Sequence, residues 1–247
     1  MKQYLIKLSS LSIVALMLVS INACVHPAGK QPEPGNNQNA ESGLIMPERI
    51  AWTNIWVEKT ADTLLPRLLL IGDSHVQQYY PFVKSELEGK VNFGRLTSSK
   101  CLGNPYLEKE IKTFLEQYPC DIIAFNNGLH GKKYPDSVYA AHLPIIFKLF
   151  EKTAPAARVI WMNTTPVRKN DSLDAFDAFT QHVKKRNLLA KKFMLQNGIP
   201  IVDLWSIGYE HPEYYSDDGV HFNAKGKKAE AKKVADAVLR VLVPETK

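Results

Sequence analysis

Cysteine is scarce in this chain. Three occur in 247 residues, Cys24, Cys101 and Cys120. The last two bracket the stretch between two expected strands, one following a strand and one preceding the next. In a parallel sheet that places them near opposite ends, whereas disulfide partners need α-carbons within about 7 Å. A bridge therefore requires a loop that folds back. The histidines are few and scattered: His142, His182 and His211 show no ligand spacing, which argues against a metal site. There is no internal repeat and no second linker, which excludes a solenoid or a string of domains. The apolar run from Leu11 to Ile21 is too short for a comfortable membrane span. Net charge is a modest +6, which gives no reason to expect a nucleic-acid partner.

What is present begins with a leader. Lys2 and Lys7 precede the apolar run, and Ala23-Cys24 follows it, the pattern of a signal peptide over residues 1–23. Ile21-Asn22-Ala23-Cys24 is similar to a bacterial lipobox, in which the cysteine carries the lipid, although Asn22 stands where a small residue is usual. Two or more acyl chains at Cys24, each contributing ~0.8 kcal/mol per buried methylene, would hold the protein on a membrane. Loss of residues 1–23 removes two lysines and no acid and lowers the formal charge from +6 to +4. Residues 24–45 then form a lipidated cysteine and a polar tether containing Pro27, Pro32, Pro34 and Gly35. One domain, residues 46–247, follows.

Within that domain short apolar runs alternate with longer amphipathic ones. Strands are expected at 67–72, 91–96, 121–125, 157–163 and 199–203, and helices at about 76–88, 106–117, 137–153, 172–196 and 224–242. Ala231, Val234, Ala235, Val238, Val241 and Leu242 follow the helical period, and Asn223 is a suitable N-cap for that last helix. Strands buried on both faces and separated by helices imply a parallel sheet wrapped by helices, a three-layer α/β/α sandwich with a central five-stranded parallel sheet. Ligands in such sheets bind beyond the carboxyl ends of the strands.

At one such end stands Leu68-Leu69-Leu70-Ile71-Gly72-Asp73-Ser74-His75, an apolar strand that stops in a small residue, an acid and a hydroxyl. Near the other end of the chain Asp218-Gly219-Val220-His221 supplies an acid and an imidazole three residues apart. A serine needs a base to take its proton and a third group to orient that base. Asp218 and His221 suit those roles.

These segments resemble the SGNH hydrolase superfamily, the GDSL-type esterases and lipases. Gly72-Asp73-Ser74 is similar to the family's first block, with His75 where Leu or Ile is more common. Asp218 to His221, continued by Phe222 to Gly226, is similar to the last block. Arg186-Asn187, Gly198-Ile199 and Val202-Asp203-Leu204 add to the likeness, which covers about residues 67–243. The resemblance implies a flavodoxin-like fold, no cofactor, and catalytic Ser74, His221 and Asp218. It also implies an oxyanion hole built from the Ser74 N–H, a backbone N–H after the second strand and a side chain after the third.

The middle blocks are irregular. Gly94 comes too early in its strand, leaving Thr97, Ser98 or Ser99, with Ser98 taken as the donor. After the third strand, alignment of Gly128 with the family glycine puts His130 where an asparagine is usual. Asn126 and Asn127 are the rival donors, Asn127 the nearer rival, and either can instead cap the strand end. Asp73 holds the turn. His75 either contacts substrate or is a partly exposed packing residue at a helix start. Thr164-Thr165-Pro166 either borders the pocket or ends a strand. Tyr79, Tyr80, Trp205, Tyr209, Tyr214 and Tyr215 either form a sugar-stacking surface or pack. The resemblance implies a hydrolase for O-acyl esters, with acetyl groups on a carbohydrate as the substrate, while the leader and the lipobox-like Ile21–Cys24 imply the lipid anchor as its membrane contact and a periplasmic or cell-surface location. Acyl transfer with the same residues and an idle glycan-binding lipoprotein are the rival readings.

Overall fold

The computed structural model describes residues 48–242. The leader, Cys24 and the tether expected over residues 1–45 lie outside the described residues. Six strands form the main sheet. In chain order the elements are β1 (Thr53–Val57), β2 (Arg67–Gly72), α1 (Ser74–Glu86), β3 (Asn92–Ser98), α2 (Pro105–Gln117) and β4 (Ile122–Phe125). They continue with α3 (Asp136–Thr153), β5 (Arg158–Met162), β6 (Arg168–Lys169), β7 (Ser172–Phe176), α4 (Thr180–Gln196), β8 (Ile201–Val202), α5 (Trp205–Glu210), the 3-10 turn Pro212–Tyr214 and α6 (Ala224–Leu242).

The sheet order is β1-β3-β2-β4-β5-β8. Five strands run parallel, as their buried, continuously apolar sequences require, and β1 adds an antiparallel edge beside β3. That edge strand is a feature the sequence reading lacked. Thr53–Val57 is almost wholly exposed, so neither burial pattern marks it.

Alternate residues of each strand feed the two helical layers. Leu68 and Leu70 join α1, α5 and α6 in one core, with Val76, Tyr79, Val83, Ala231, Val234 and Val238. Leu69 and Ile71 face α2, α3 and α4, with Ile111, Phe114, Phe147, Phe150 and Met194. Leu68 to Leu70 are fully buried, and each such side chain contributes roughly 1.5–3 kcal/mol relative to exposure. β2 therefore lies centrally, and whatever follows Gly72 is held on a rigid base.

One helix is shorter than the sequence suggests. The stretch 172–196 is expected to be helical throughout, yet α4 starts at Thr180, and residues 168–176 form the β6–β7 hairpin. The hairpin wins because Arg168 turns inward beneath it. Its guanidinium donates to the carbonyls of Leu173, Gly208 and Tyr209 at 2.8–2.9 Å, bonds that a helix over 172–176 would forgo.

Candidate active site

The turn after β2 is narrow. A Cβ on Gly72 would run into the Val76 side chain and lie 3.3 Å from the Asn126 carbonyl oxygen, so glycine lets the end of β4 approach. Asp73 caps α1, accepting the His75 N–H at 2.9 Å. Ser74 is then the first residue of the helix, where the N–H groups have no intrahelical partner and the dipole is positive.

The second half of the site arrives from the segment before α6. Gly219 has φ of +68°, and a Cβ there would meet the Arg168 carbonyl oxygen. The chain is pinned on both sides of this turn, by the Arg168 N–H on the Gly219 carbonyl at 2.7 Å and the Ser216 N–H on the His221 carbonyl at 2.7 Å. Asp218 Oδ1 accepts the N–H groups of Val220 and His221 at 2.9 and 2.8 Å, while its Oδ2 lies 2.6 Å from His221 Nδ1. His221 Nε2 lies 2.8 Å from Ser74 Oγ. Burial pushes the Asp218 carboxyl up, but hydrogen bonds from the His221 ring and from two backbone N–H groups outweigh it and hold it below its usual range. The arrangement can move a proton from Ser74 to His221 while a carboxylate fixes the ring tautomer.

The other sequence candidates fall into two sets. Asn127 is committed: its Nδ2 donates to the Lys100 carbonyl at 3.0 Å and its Oδ1 accepts the Leu102 N–H at 3.0 Å, tying the loop after β3 to the end of β4. Asn126 Nδ2 donates to the Met162 carbonyl at 2.8 Å. The Ser99 N–H is spent on the Trp52 carbonyl at 3.1 Å, and Ser98 Oγ donates to the same carbonyl at 3.2 Å and accepts the Lys100 N–H at 3.2 Å. His130 differs. Its side chain is 22% exposed, Nδ1 stands 3.7 Å from Glu48 Oε1, and Nε2 has no hydrogen-bond partner among the described residues.

Thr164 and Thr165 are buried at the end of β5, where Asn187 closes both backbone groups of Thr164 at 2.9 and 2.7 Å. Tyr79, Tyr80 and Tyr215 are buried too, so they belong to the core. Trp205 and Tyr209 stack at 6.1 Å and Tyr209 on Phe176 at 5.2 Å. Cys101 and Cys120 are both free. Among the described residues no three His, Cys, Asp or Glu side chains gather as metal ligands.

Two charged groups have roles that the sequence did not assign to them. Arg186 is 2% exposed; it donates to the carbonyls of Gly128 (3.0 Å), His130 (2.8 Å), Gly131 (2.8 Å) and Tyr134 (3.3 Å), and its Nε lies 3.2 Å from Asp136 Oδ1. It organises the loop that carries His130. The second is Glu230, fully buried on α6, whose Oε1 lies 2.8 Å from His75 Nδ1. His75 is itself 5% exposed, so of its two expected roles the partly exposed packing residue does not apply, because the Glu230 carboxyl compensates its burial. The available signal was an acid at position 230 in helical register with Val234 and Ala237 on the apolar face. Desolvation pushes the His75 imidazole down, but the Glu230 carboxylate and the Val220 carbonyl outweigh it and hold it up at about 9.

The chain matches no protein-family model and no curated protein. Its backbone is similar to solved structures. One is a member of the lipolytic protein G-D-S-L family from Veillonella parvula, with TM-score 0.58 and 18% identity over 70% of this chain and 98% of that one. Another is the C-terminal catalytic domain of Streptococcus pneumoniae peptidoglycan O-acetyltransferase A, with 0.55 and 18% over 72% and 95%. A carbohydrate esterase family 3 structure from Talaromyces cellulolyticus gives 0.57 and 17% over 72% and 98%. At such identities the fold is what is shared, and it is the mostly parallel α/β fold of the SGNH and GDSL hydrolases.

Proposed function

We propose that this protein is a serine hydrolase acting on O-acyl esters, with Ser74 as nucleophile, His221 as general base and acid, and Asp218 as the group that orients His221. The observation that carries this reading is the unbroken chain Ser74 Oγ, His221 Nε2, His221 Nδ1, Asp218 Oδ2, at 2.8 and 2.6 Å. Ser74 Oγ attacks the acyl carbon as its proton passes to His221 Nε2. The tetrahedral oxyanion is held by the N–H of Ser74 and the His130 ring, because the register that pairs Gly72 with Thr97 gives the Ser98 N–H to the Gly72 carbonyl. His221 then protonates the leaving alkoxide, and water, deprotonated by the same imidazole, releases the acid.

Asn127 is the weaker candidate for the oxyanion because its amide already holds Lys100 and Leu102. An acetyl group on a carbohydrate is the proposed substrate, supported by the likeness to a carbohydrate esterase and a peptidoglycan O-acetyltransferase domain. The second of these also supports acyl transfer, in which an acceptor hydroxyl replaces water in the last step. Anchoring through Cys24 at a bacterial membrane rests on the leader sequence and is read by labelling with a radioactive fatty acid, which Cys24→Ala abolishes.

The test is covalent labelling by a fluorophosphonate together with hydrolysis of p-nitrophenyl acetate. Wild type is expected to do both, Ser74→Ala neither, and Asp218→Asn to lose ~10⁴-fold in kcat. Wild-type protein inert in both assays refutes the hydrolase reading. Acetate release that gives way to an acetylated product when a sugar acceptor is added identifies transfer.

A further inference from the structure

Behind the surface-exposed groups of the site lies a buried pair with no part in the proton transfer just described. His75 follows the nucleophile on α1, and Glu230 sits on α6, fully buried. Replacing a buried ion pair with apolar side chains is often neutral or stabilising, so stability alone does not account for placing one here. Substrate contact does not account for it either. The neighbouring cavity, bounded by His75, Asn126, Thr165 and Glu230, measures about 10 Å³, roughly the space of one water and too small for an ester.

The pair's shorter outward bond goes to the catalytic segment, while Thr165 Oγ1 lies 3.4 Å from the same ring nitrogen, His75 Nε2. His75 Nε2 lies 2.9 Å from the Val220 carbonyl oxygen. A carbonyl only accepts, so Nε2 carries a proton whichever partner holds the proton between Nδ1 and Glu230. The next N–H in the chain, that of His221, donates to Asp218 Oδ1 at 2.8 Å. The Val220–His221 peptide is thus gripped at both ends, its oxygen by His75 and its N–H by Asp218. The His75 ring also stacks on His221 at 5.8 Å and 29°, and meets Phe222 edge-on at 5.2 Å. Three consecutive residues of the segment are therefore registered against the residue beside Ser74.

We propose that His75 and Glu230 form a positioning pair: Glu230 orients the His75 ring, His75 holds the Val220 carbonyl, and the peptide plane so fixed sets His221 against Ser74. This rests on the reading of Ser74, His221 and Asp218 as the reacting groups. The physical point is that Ser74 and His221 come from segments 147 residues apart, and a displacement of about 1 Å between reacting groups costs roughly 100-fold. A second tie between the two segments, made by the buried His75 side chain, holds that distance without engaging either reacting atom.

The experiment uses four variants of the full chain: His75→Leu, His75→Gln, Glu230→Gln and Glu230→Leu. Each is read for kcat and KM on p-nitrophenyl acetate, for folded fraction by thermal unfolding, and for hydrogen exchange of residues 216–222. His75→Leu removes the donor, and kcat is expected to fall ~100-fold with KM moving less than about threefold. His75→Gln keeps an N–H in reach of Val220 and is expected to recover at least about tenfold of that loss. Glu230→Gln, whose amide donates to Nδ1 and leaves Nε2–H on Val220, is expected to stay within about threefold of wild type, whereas Glu230→Leu follows His75→Leu.

Equal kcat for the folded Leu and Gln variants at position 75 overturns the proposal, as does a loss carried by KM. If the leucine variants do not fold, Glu230→Gln decides, since a ~100-fold loss there means that charge, and not the tie, matters. Exchange separates this proposal from the assignment of function. Residues 216–222 are expected to exchange faster in His75→Leu than in His75→Gln even if wild type proves inactive, and unchanged exchange overturns the tie by itself.

Discussion

Arg186→Met is the most demanding perturbation for this fold. Methionine keeps much of the stem's length and apolar character but removes the guanidinium, which makes one bond to Asp136 and bonds to four carbonyls in the 128–134 loop. Breaking a buried pair by deleting one partner costs about 3–5 kcal/mol, because the other charge is left uncompensated. Asp136 retains Lys185 Nζ at 3.4 Å and His182 Nδ1 at 3.3 Å, both on exposed side chains, which favours the lower end, about 3 kcal/mol. For a domain near 200 residues that amounts to a fall in Tm of roughly 6–12 °C. Urea unfolding followed by far-UV circular dichroism gives the free energy directly. The double variant Arg186→Met with Asp136→Leu then isolates the pair, and the two changes together are expected to cost less than their sum by about 0.5–3 kcal/mol. A single-variant cost under about 1 kcal/mol, or strict additivity in the double variant, refutes the view that Arg186 is the organiser of this loop.

Three further expectations concern the site and its surroundings. His130→Ala is expected to keep the fold and lower kcat by ~10²–10³, the typical cost of one oxyanion donor; near-normal turnover removes His130 from that role. Burial pushes the Asp136 carboxyl up, but hydrogen bonds from Lys185 and Arg186 outweigh it and hold it below its ordinary range. Its stabilising contribution is therefore complete above the unfolded-state value and is lost as pH falls through the lower folded one. Unfolding free energies measured from pH 5 downward are expected to drop less steeply in Asp136→Asn than in wild type, and parallel curves contradict this. Burial pushes the Cys101 and Cys120 thiols up to about 11 and 12. Both are expected to resist alkylation at pH 8 until urea unfolds the chain, as peptide mass spectrometry would show, and prompt native labelling of buried Cys101 or half-buried Cys120 contradicts this.

Periodicity and punctuation carried the architecture. Five apolar runs of strand length, separated by amphipathic stretches and turn residues, define a parallel α/β sandwich because each run is buried on both faces and local sequence reports that burial. The same logic failed where burial is not the organising force. Thr53–Val57 is almost wholly exposed and is held to β3 by its backbone and by polar side chains, such as Arg95 donating to Asn54 Oδ1 at 3.0 Å, and residues 168–176 form a hairpin because a buried arginine satisfies distant carbonyls. Neither interaction leaves a periodic trace.

Chemistry divides along a similar line. The residue types at Gly72-Asp73-Ser74 and Asp218-Gly219-Val220-His221 were legible, since a tight turn needs glycine and a serine nucleophile needs an imidazole and an acid to orient it, which in this chain stand three residues apart. Their separation in space was not, because Ser74 and His221 meet only when α6 packs beside α1. The tertiary structure alone showed that Asn127 spends its amide on the loop after β3 and that Arg186 shapes the segment bearing His130. It also turned His75 inward to Glu230, 155 residues away. Such contacts depend on which polar groups burial leaves in need of a partner, and that is settled only once the layers have closed.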